Sequence, residues 1–166
     1  MQTFTKTPSE AEWSVCRKLS GELAEQDSAS TRSRLRRRLY GLLKKYPGNV
    51  DIMASLGDIC VYNRQAIKLL QVSYDAAQKN KDFKNLTFIA DSLVGRYLAT
   101  RNYEQVHFWC KELAENLKNF HDQEICDNLP QILESVRFME CLESNRADQS
   151  DQFDKHRADK RQKGNQ

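Results

Sequence analysis

The chain has 166 residues, 39% of them hydrophobic and 30% charged, with a formal net charge of +3; that suits one domain of ordinary size with some polar chain to spare. Its 6 Gly and 3 Pro are too few for the turn every ~8–12 residues that an all-β sandwich or barrel needs. No apolar run approaches the roughly 18–20 residues of a membrane span, so an integral membrane protein is set aside too.

Thr7-Pro8-Ser9-Glu10 predicts a helix start, with Thr7 as the cap, Pro8 at the first helical position and Glu10 placed to close a capping box. Trp13, Cys16, Leu19 and Leu23 follow near one face at helical spacing. Asp27-Ser28-Ala29-Ser30 interrupts. A second helix then runs to about Lys45, with Leu35, Leu39, Leu42, Leu43 and Tyr46 inside and its arginines round the rest of the circumference. Pro47-Gly48 stops it. Asn49 caps a third helix carrying Met53, Leu56 and Cys60 on its stripe, and Asn63 caps a fourth with Ile67, Leu70, Tyr74 and Ala77 inside. Asn80-Lys81-Asp82 turns the chain, and Asp82 caps a fifth helix that buries Phe83, Leu86, Ala90, Leu93 and Tyr97. After Arg101-Asn102 a sixth buries Val106, Trp109, Cys110, Leu113 and Leu117. The seventh runs from about Asp122 to Leu142, with Ile125, Leu129, Ile132, Leu133, Val136 and Met139 in register. Pro130 either kinks this helix or starts a separate one capped by Asn128.

Helices of this length on short connections pack as antiparallel neighbours. The expected fold is all-α, about seven antiparallel helices stacked as helical hairpins over residues 8–142. From 143 to 166 only Ala147, Phe153 and Ala158 are apolar. That charged tail cannot bury enough surface to offset its ordering entropy and is expected to be disordered.

Charge is distributed unevenly. Between Ser28 and Tyr46 stand Arg32, Arg34, Arg36, Arg37, Arg38, Lys44 and Lys45 with no acid among them, which leaves 19 basic and 23 acidic groups elsewhere. A second basic cluster, Lys155, Arg157, Lys160, Arg161 and Lys163, lies in the tail. Such blocks attract phosphates or an acidic partner. The five cysteines (16, 60, 110, 126, 141) show no CxxC and no pairing rhythm, so reduced core thiols in a cytoplasmic setting are expected. The first residues, MQTFTKTPSEAEW, show no basic segment followed by an apolar one, so no secretory signal is expected.

Hairpin starts near 8, 50, 83 and 122 fall in the period range of helical solenoids. The run Pro47-Gly48-Asn49-Val50-Asp51-Ile52-Met53-Ala54-Ser55-Leu56-Gly57-Asp58-Ile59-Cys60 resembles the junction of the tetratricopeptide repeat (TPR) family. Met53 holds the large apolar position and Leu56-Gly57 the Leu-Gly pair, while Cys60 replaces the aromatic. A second copy spans Ala90 to Ala114. There Leu93 and Tyr97 match, Asn102-Tyr103-Glu104 matches the turn, and Val106, Trp109, Cys110 and Leu113 match the second helix. Val94 and Arg101 stand where the family has glycine. The resemblance covers about residues 47–118. It implies a TPR-like superhelix in which the small residue lets two helices approach closely, and a concave groove that holds a peptide or helix of another protein. Carried over position by position, the lining is Asp51, Ala54, Ser55, Asp58 and Tyr62, then Phe88, Asp91, Ser92 and Arg96.

Little points to catalysis. No GxGxxG, Walker A, HExxH or GxSxG string occurs. His107 and Cys110 have a spacing that could supply two zinc ligands, but no further pair follows at useful spacing. The expected function is therefore a non-enzymatic protein-interaction module (adaptor, chaperone or assembly subunit) with no cofactor and no metal. Its acidic groove disfavours a carboxylate ligand and suits a basic or apolar peptide. The alternative is nucleic-acid binding through Arg32–Arg38, mainly electrostatic because no aromatic platform stands among those arginines. A homodimer through Trp13 and Leu23 is a further possibility for an uncovered first helix.

Overall fold

The computed structural model describes residues 7–142, and these fall into two compact units that meet at Asp122 and Gln123. The 143–166 tail and its basic cluster lie outside the described residues. The described residues are helical throughout, without a strand. The first unit holds α1 (Glu10–Glu25), α2 (Ala29–Lys45), α3 (Val50–Asp58), α4 (Asn63–Asn80), α5 (Phe83–Ala99) and α6 (Tyr103–Leu117). Each packs on its chain neighbours, and α3 also touches α5. The second unit contains α7, helical over residues 123–142 and unbroken at Pro130.

The starts and stops follow from local chemistry. Ser9, not Thr7, caps α1, and Glu12 rather than Glu10 closes the capping box. Both serve the same Ser/Thr-x-x-Glu spacing. Ser9 prevails because Glu12 is held twice over: its carboxylate also accepts from the Tyr46 hydroxyl at 2.7 Å and from Lys45 Nζ at 2.5 Å. The first cap is thereby tied to the end of α2. Ser28 caps α2 by accepting from the Thr31 N–H at 3.1 Å. Beyond α2 the chain turns at Gly48, whose φ of +78° only glycine adopts without strain. Asn49 then caps α3.

Lys81 and Arg101 end α4 and α5 in the left-handed region, each with φ 55°. In both turns the following residue donates its N–H back across the helix end: Asp82 to the Ala77 carbonyl at 3.0 Å, Asn102 to the Tyr97 carbonyl at 3.1 Å. Asp82 and Asn102 then cap α5 and α6. The same turn is used twice, and neither copy contains glycine.

One core cluster joins the first two hairpins. Cys16 and Leu19 of α1, Leu35, Leu39 and Leu42 of α2, and Ile52 and Leu56 of α3 are buried together. A leucine buried this fully contributes about 2 kcal/mol relative to exposure. Trp13 and Leu23 pack on the cluster but stay half-buried. On α3 the stripe sits one residue off the expected one: Ile52 is buried where Met53 is only half-buried, and Cys60 lies past the helix end. Phe83, expected inside, is 37% exposed, while Ile89 and Val94 are buried.

At Gly57, α3 and α4 approach closely. A Cβ there would stand 2.7 Å from Leu70 Cγ and 2.9 Å from its Cδ2. Ala66 and Leu70 of α4, both fully buried, occupy that space. Further along, Tyr74 of α4 donates to Glu112 at 2.9 Å and accepts from Asn116 at 3.0 Å, both on α6. Its ring meets Trp109 edge-on, 4.9 Å between centroids. Burial, foremost, pushes the Tyr74 hydroxyl up to about 12.

Candidate protein-binding groove

The groove is built on α3. Asp51, Ala54, Ser55 and Asp58 share a face of this helix at i, i+3, i+4 and i+7. Opposite them, α5 presents Asn85, Phe88, Ile89 and Ser92 at the same spacing. These eight residues line a cleft of about 140 Å³. The Asn85 amide donates to Asp51 Oδ1 at 3.0 Å and to Asp82 Oδ2 at 2.7 Å, which pins the α5 start to α3. Phe88 leans edge-on against Phe120, 5.8 Å between centroids. Asp58 is exposed by surface area, yet desolvation pushes its carboxyl above the ordinary range, against a hydrogen bond from Ser92 and the charge of Arg96.

On the other side of α3 a second cleft opens, of about 410 Å³. Trp13, Cys16, Ser20 and Leu23 of α1 form one wall, Ser55, Asp58 and Ile59 the other, and Leu35 and Leu39 of α2 the floor. Ser55 and Asp58 line both clefts. The two hollows form a furrow on either flank of α3, with Ser55 and Asp58 on the ridge between them; it is mainly apolar on the α1 side and mixed on the α5 side.

Not every residue carried over from the resemblance lies in it. Asp51, Ala54, Ser55, Asp58, Phe88 and Ser92 do. Arg96 stands one turn beyond Ser92 and reaches over the end of α3, donating to the Gly57 and Asp58 carbonyls at 3.2 and 2.5 Å and to Asn63 Oδ1 at 3.2 Å. It satisfies carbonyls that a helix end leaves without partners. Asp91 sits near Cys110 of α6, where its charge adds to burial in pushing that thiol up to about 11. Tyr62 is 68% exposed and faces α2, away from the furrow. The α1 wall was missed because the motif matches begin at Pro47. Its helical stripe of Trp13, Cys16 and Leu23 was the available signal.

The basic residues of α2 divide by partner. Arg32 pairs with Asp27, Arg34 with Glu22 at 3.5 Å and Lys45 with Glu12. The charges of Arg38 and Arg17 oppose burial, which pushes the Cys16 thiol up. Arg36, Arg37 and Lys44 are exposed on one face together with Tyr40, an aromatic that the arginine count overlooked. All five cysteines are free thiols; Cys16 and Cys110 are buried, Cys60 and Cys126 half-buried and Cys141 exposed. Among the described residues no His, Cys, Asp and Glu group is arranged to hold a metal ion, and no helix is long and apolar enough to cross a membrane.

No family model, curated protein or solved structure matches the chain.

Proposed function

We propose that this chain is a non-enzymatic protein-interaction module, an adaptor, chaperone or assembly subunit, that holds a peptide or helix of a partner protein in the furrow flanking α3. The observation that carries this reading is the pair of hollows that flank α3 and share Ser55 and Asp58, which would let one ligand rest on α1, α3 and α5 together. A partner fits if it carries one bulky apolar side chain for the wall of Trp13, Leu23 and Ile59 and a cationic side chain for Asp51 and Asp58. The furrow's polar groups are engaged in joining helices, Asn85 on Asp51 and Ser92 on Asp58, which suits holding a ligand better than moving protons. The sequence resemblance to TPR junctions favours the same reading, and α1, α3 and α5, which line the two hollows, are the helices it would put there. The free thiols fit a reducing, cytoplasmic compartment.

The test is site-specific photocrosslinking in the native host, with a photoreactive residue replacing Ser20 or Ser55 inside the furrow, or Lys68 on the outside of α4. The same protein should be captured from both furrow positions and not from Lys68, and Asp58→Arg should abolish capture. Equal labelling from Lys68 removes the proposal.

A further inference from the structure

The furrow leaves unused a second surface, of opposite sign, on the far side of α2. Ser33, Arg36, Arg37, Tyr40 and Lys44 fall at i, i+3, i+4, i+7 and i+11, one continuous face of the helix. They line an open trough of about 500 Å³. A second trough, about 220 Å³, runs from the same helix to the loop that joins α3 and α4, and it includes Tyr62. Ser33 and Arg36 line both, so the two adjoin as one strip along α2, with one tyrosine in each trough. Tyr40 is 47% exposed and Tyr62 68%. No Asp or Glu lines either trough. Among the described residues Arg36, Arg37 and Lys44 make no ion pair, unlike Arg32, Arg34 and Lys45.

We propose that this strip binds single-stranded nucleic acid, with Arg36, Arg37 and Lys44 on its phosphates and Tyr40 and Tyr62 stacked on unpaired bases. Cations alone would suit any polyanion. The two exposed rings distinguish the ligand: every base offers a flat face to stack on, whereas an acidic peptide segment or a lipid headgroup offers none. A duplex keeps its base faces covered and gains only the charge contacts. Phosphates and base faces are common to RNA and DNA, so the strip does not select the sugar. Between Ser33 and Lys44 the helix axis advances about 16 Å, room for a few nucleotides. This surface stands apart from the furrow, and its partner is independent of the protein proposed there.

The experiment is fluorescence anisotropy on the full chain with a labelled 12-nucleotide uridine oligomer, its thymidine counterpart and a 12-base-pair duplex, each at several salt concentrations. Both single strands should bind within a few-fold of one another and more tightly than the duplex. With three cations on phosphates, log K should fall with log salt at a slope of about −2. Tyr40→Ala and Tyr62→Ala should each weaken the single strands about tenfold and leave the duplex unchanged, while Tyr40→Phe, which keeps the ring, restores binding. Arg36→Glu with Arg37→Glu should abolish it, and thermal unfolding of each variant confirms that the fold is kept. The proposal is overturned if no binding occurs at low salt, if the charge-reversed variant still binds, or if an oligoglutamate competes fully and the tyrosine variants bind like the parent.

Discussion

Replacing Gly57 by alanine tests the close contact between α3 and α4. The new Cβ would stand 2.7 Å from Leu70 Cγ, 2.9 Å from Cδ2 and 3.4 Å from the Ala66 carbonyl oxygen. Carbon pairs are comfortable at about 3.5–4.0 Å, so the overlap with Leu70 is close to 1 Å. Leu70 is fully buried and has no empty space to swing into. Overpacking of this kind costs about 1–3 kcal/mol. Alanine returns part of that through its helix propensity, about 1 kcal/mol in a helix interior, but less here because Gly57 is one residue from the end of α3. The net loss should be about 1–2 kcal/mol, read as a lower urea midpoint by circular dichroism. Gly95 supplies the control: it lies in α5, and a Cβ added there would meet nothing within 4 Å, so Gly95→Ala should be neutral or stabilising. Leu70→Ala alone should cost about 2–5 kcal/mol, and combined with Gly57→Ala it should cost at least 1 kcal/mol less than the sum. A neutral Gly57→Ala, or strict additivity with Leu70→Ala, would refute the close-approach argument.

The remaining predictions concern the ties between helices. Glu12 is held down to about 2 from an ordinary 4.5, first by the hydrogen bond from Lys45, then by the Ser9 N–H and the Tyr46 hydroxyl. Its stabilising share is therefore complete above pH 4.5 and lost as pH falls from there towards 2, so the gap in urea midpoint between the parent and Glu12→Gln should close over that window. Lys81→Gly relieves a left-handed backbone that costs a side chain about 1 kcal/mol and should raise the melting temperature. Tyr74→Phe leaves the buried Asn116 amide without its acceptor and should cost about 1–3 kcal/mol. An absorbance titration of the six tyrosines should then lose its step near pH 12.

What was legible in the sequence was whatever a local pattern encodes. The 3.6-residue stripe marked Leu35, Leu39, Leu42, Leu70, Leu93 and Val106, all buried. Caps at Asn49 and Asp82 and turns at Lys81 and Arg101 could be read because their chemistry lies within a few residues. What depends on distant partners could not. Ser9 prevails over Thr7 as the first cap because Lys45 and Tyr46, more than thirty residues away, hold Glu12 in place. Arg96 looked like a groove residue because it shares the face of Phe88 and Ser92. Only the position of α3's end shows that its guanidinium caps carbonyls. Tyr40 lies on α2 and Tyr62 in the loop before α4, and nothing short of the packed chain places them along the same pair of troughs.

The furrow's asymmetry follows from the same ties. Asn85 and Arg96 bind α5 to α3 at both ends of their shared cleft, which keeps it narrow. Among the described residues no hydrogen bond joins α1 to α3; α1 is held by α2 instead, through Glu12 to Tyr46 and Glu22 to Arg34. Below the cleft α1 and α3 meet in the shared core of Cys16, Leu19, Ile52 and Leu56; above it Trp13, Leu23 and Ile59 stay half-buried and leave the cleft open. A bulky apolar side chain entering there meets a mainly apolar lining and breaks no hydrogen bond between α1 and α3, whereas on the α5 side Phe88 and Ile89 stand beside polar groups already engaged. Affinity for a partner then comes chiefly from the open half, and orientation from the two aspartates beside it, Asp51 and Asp58.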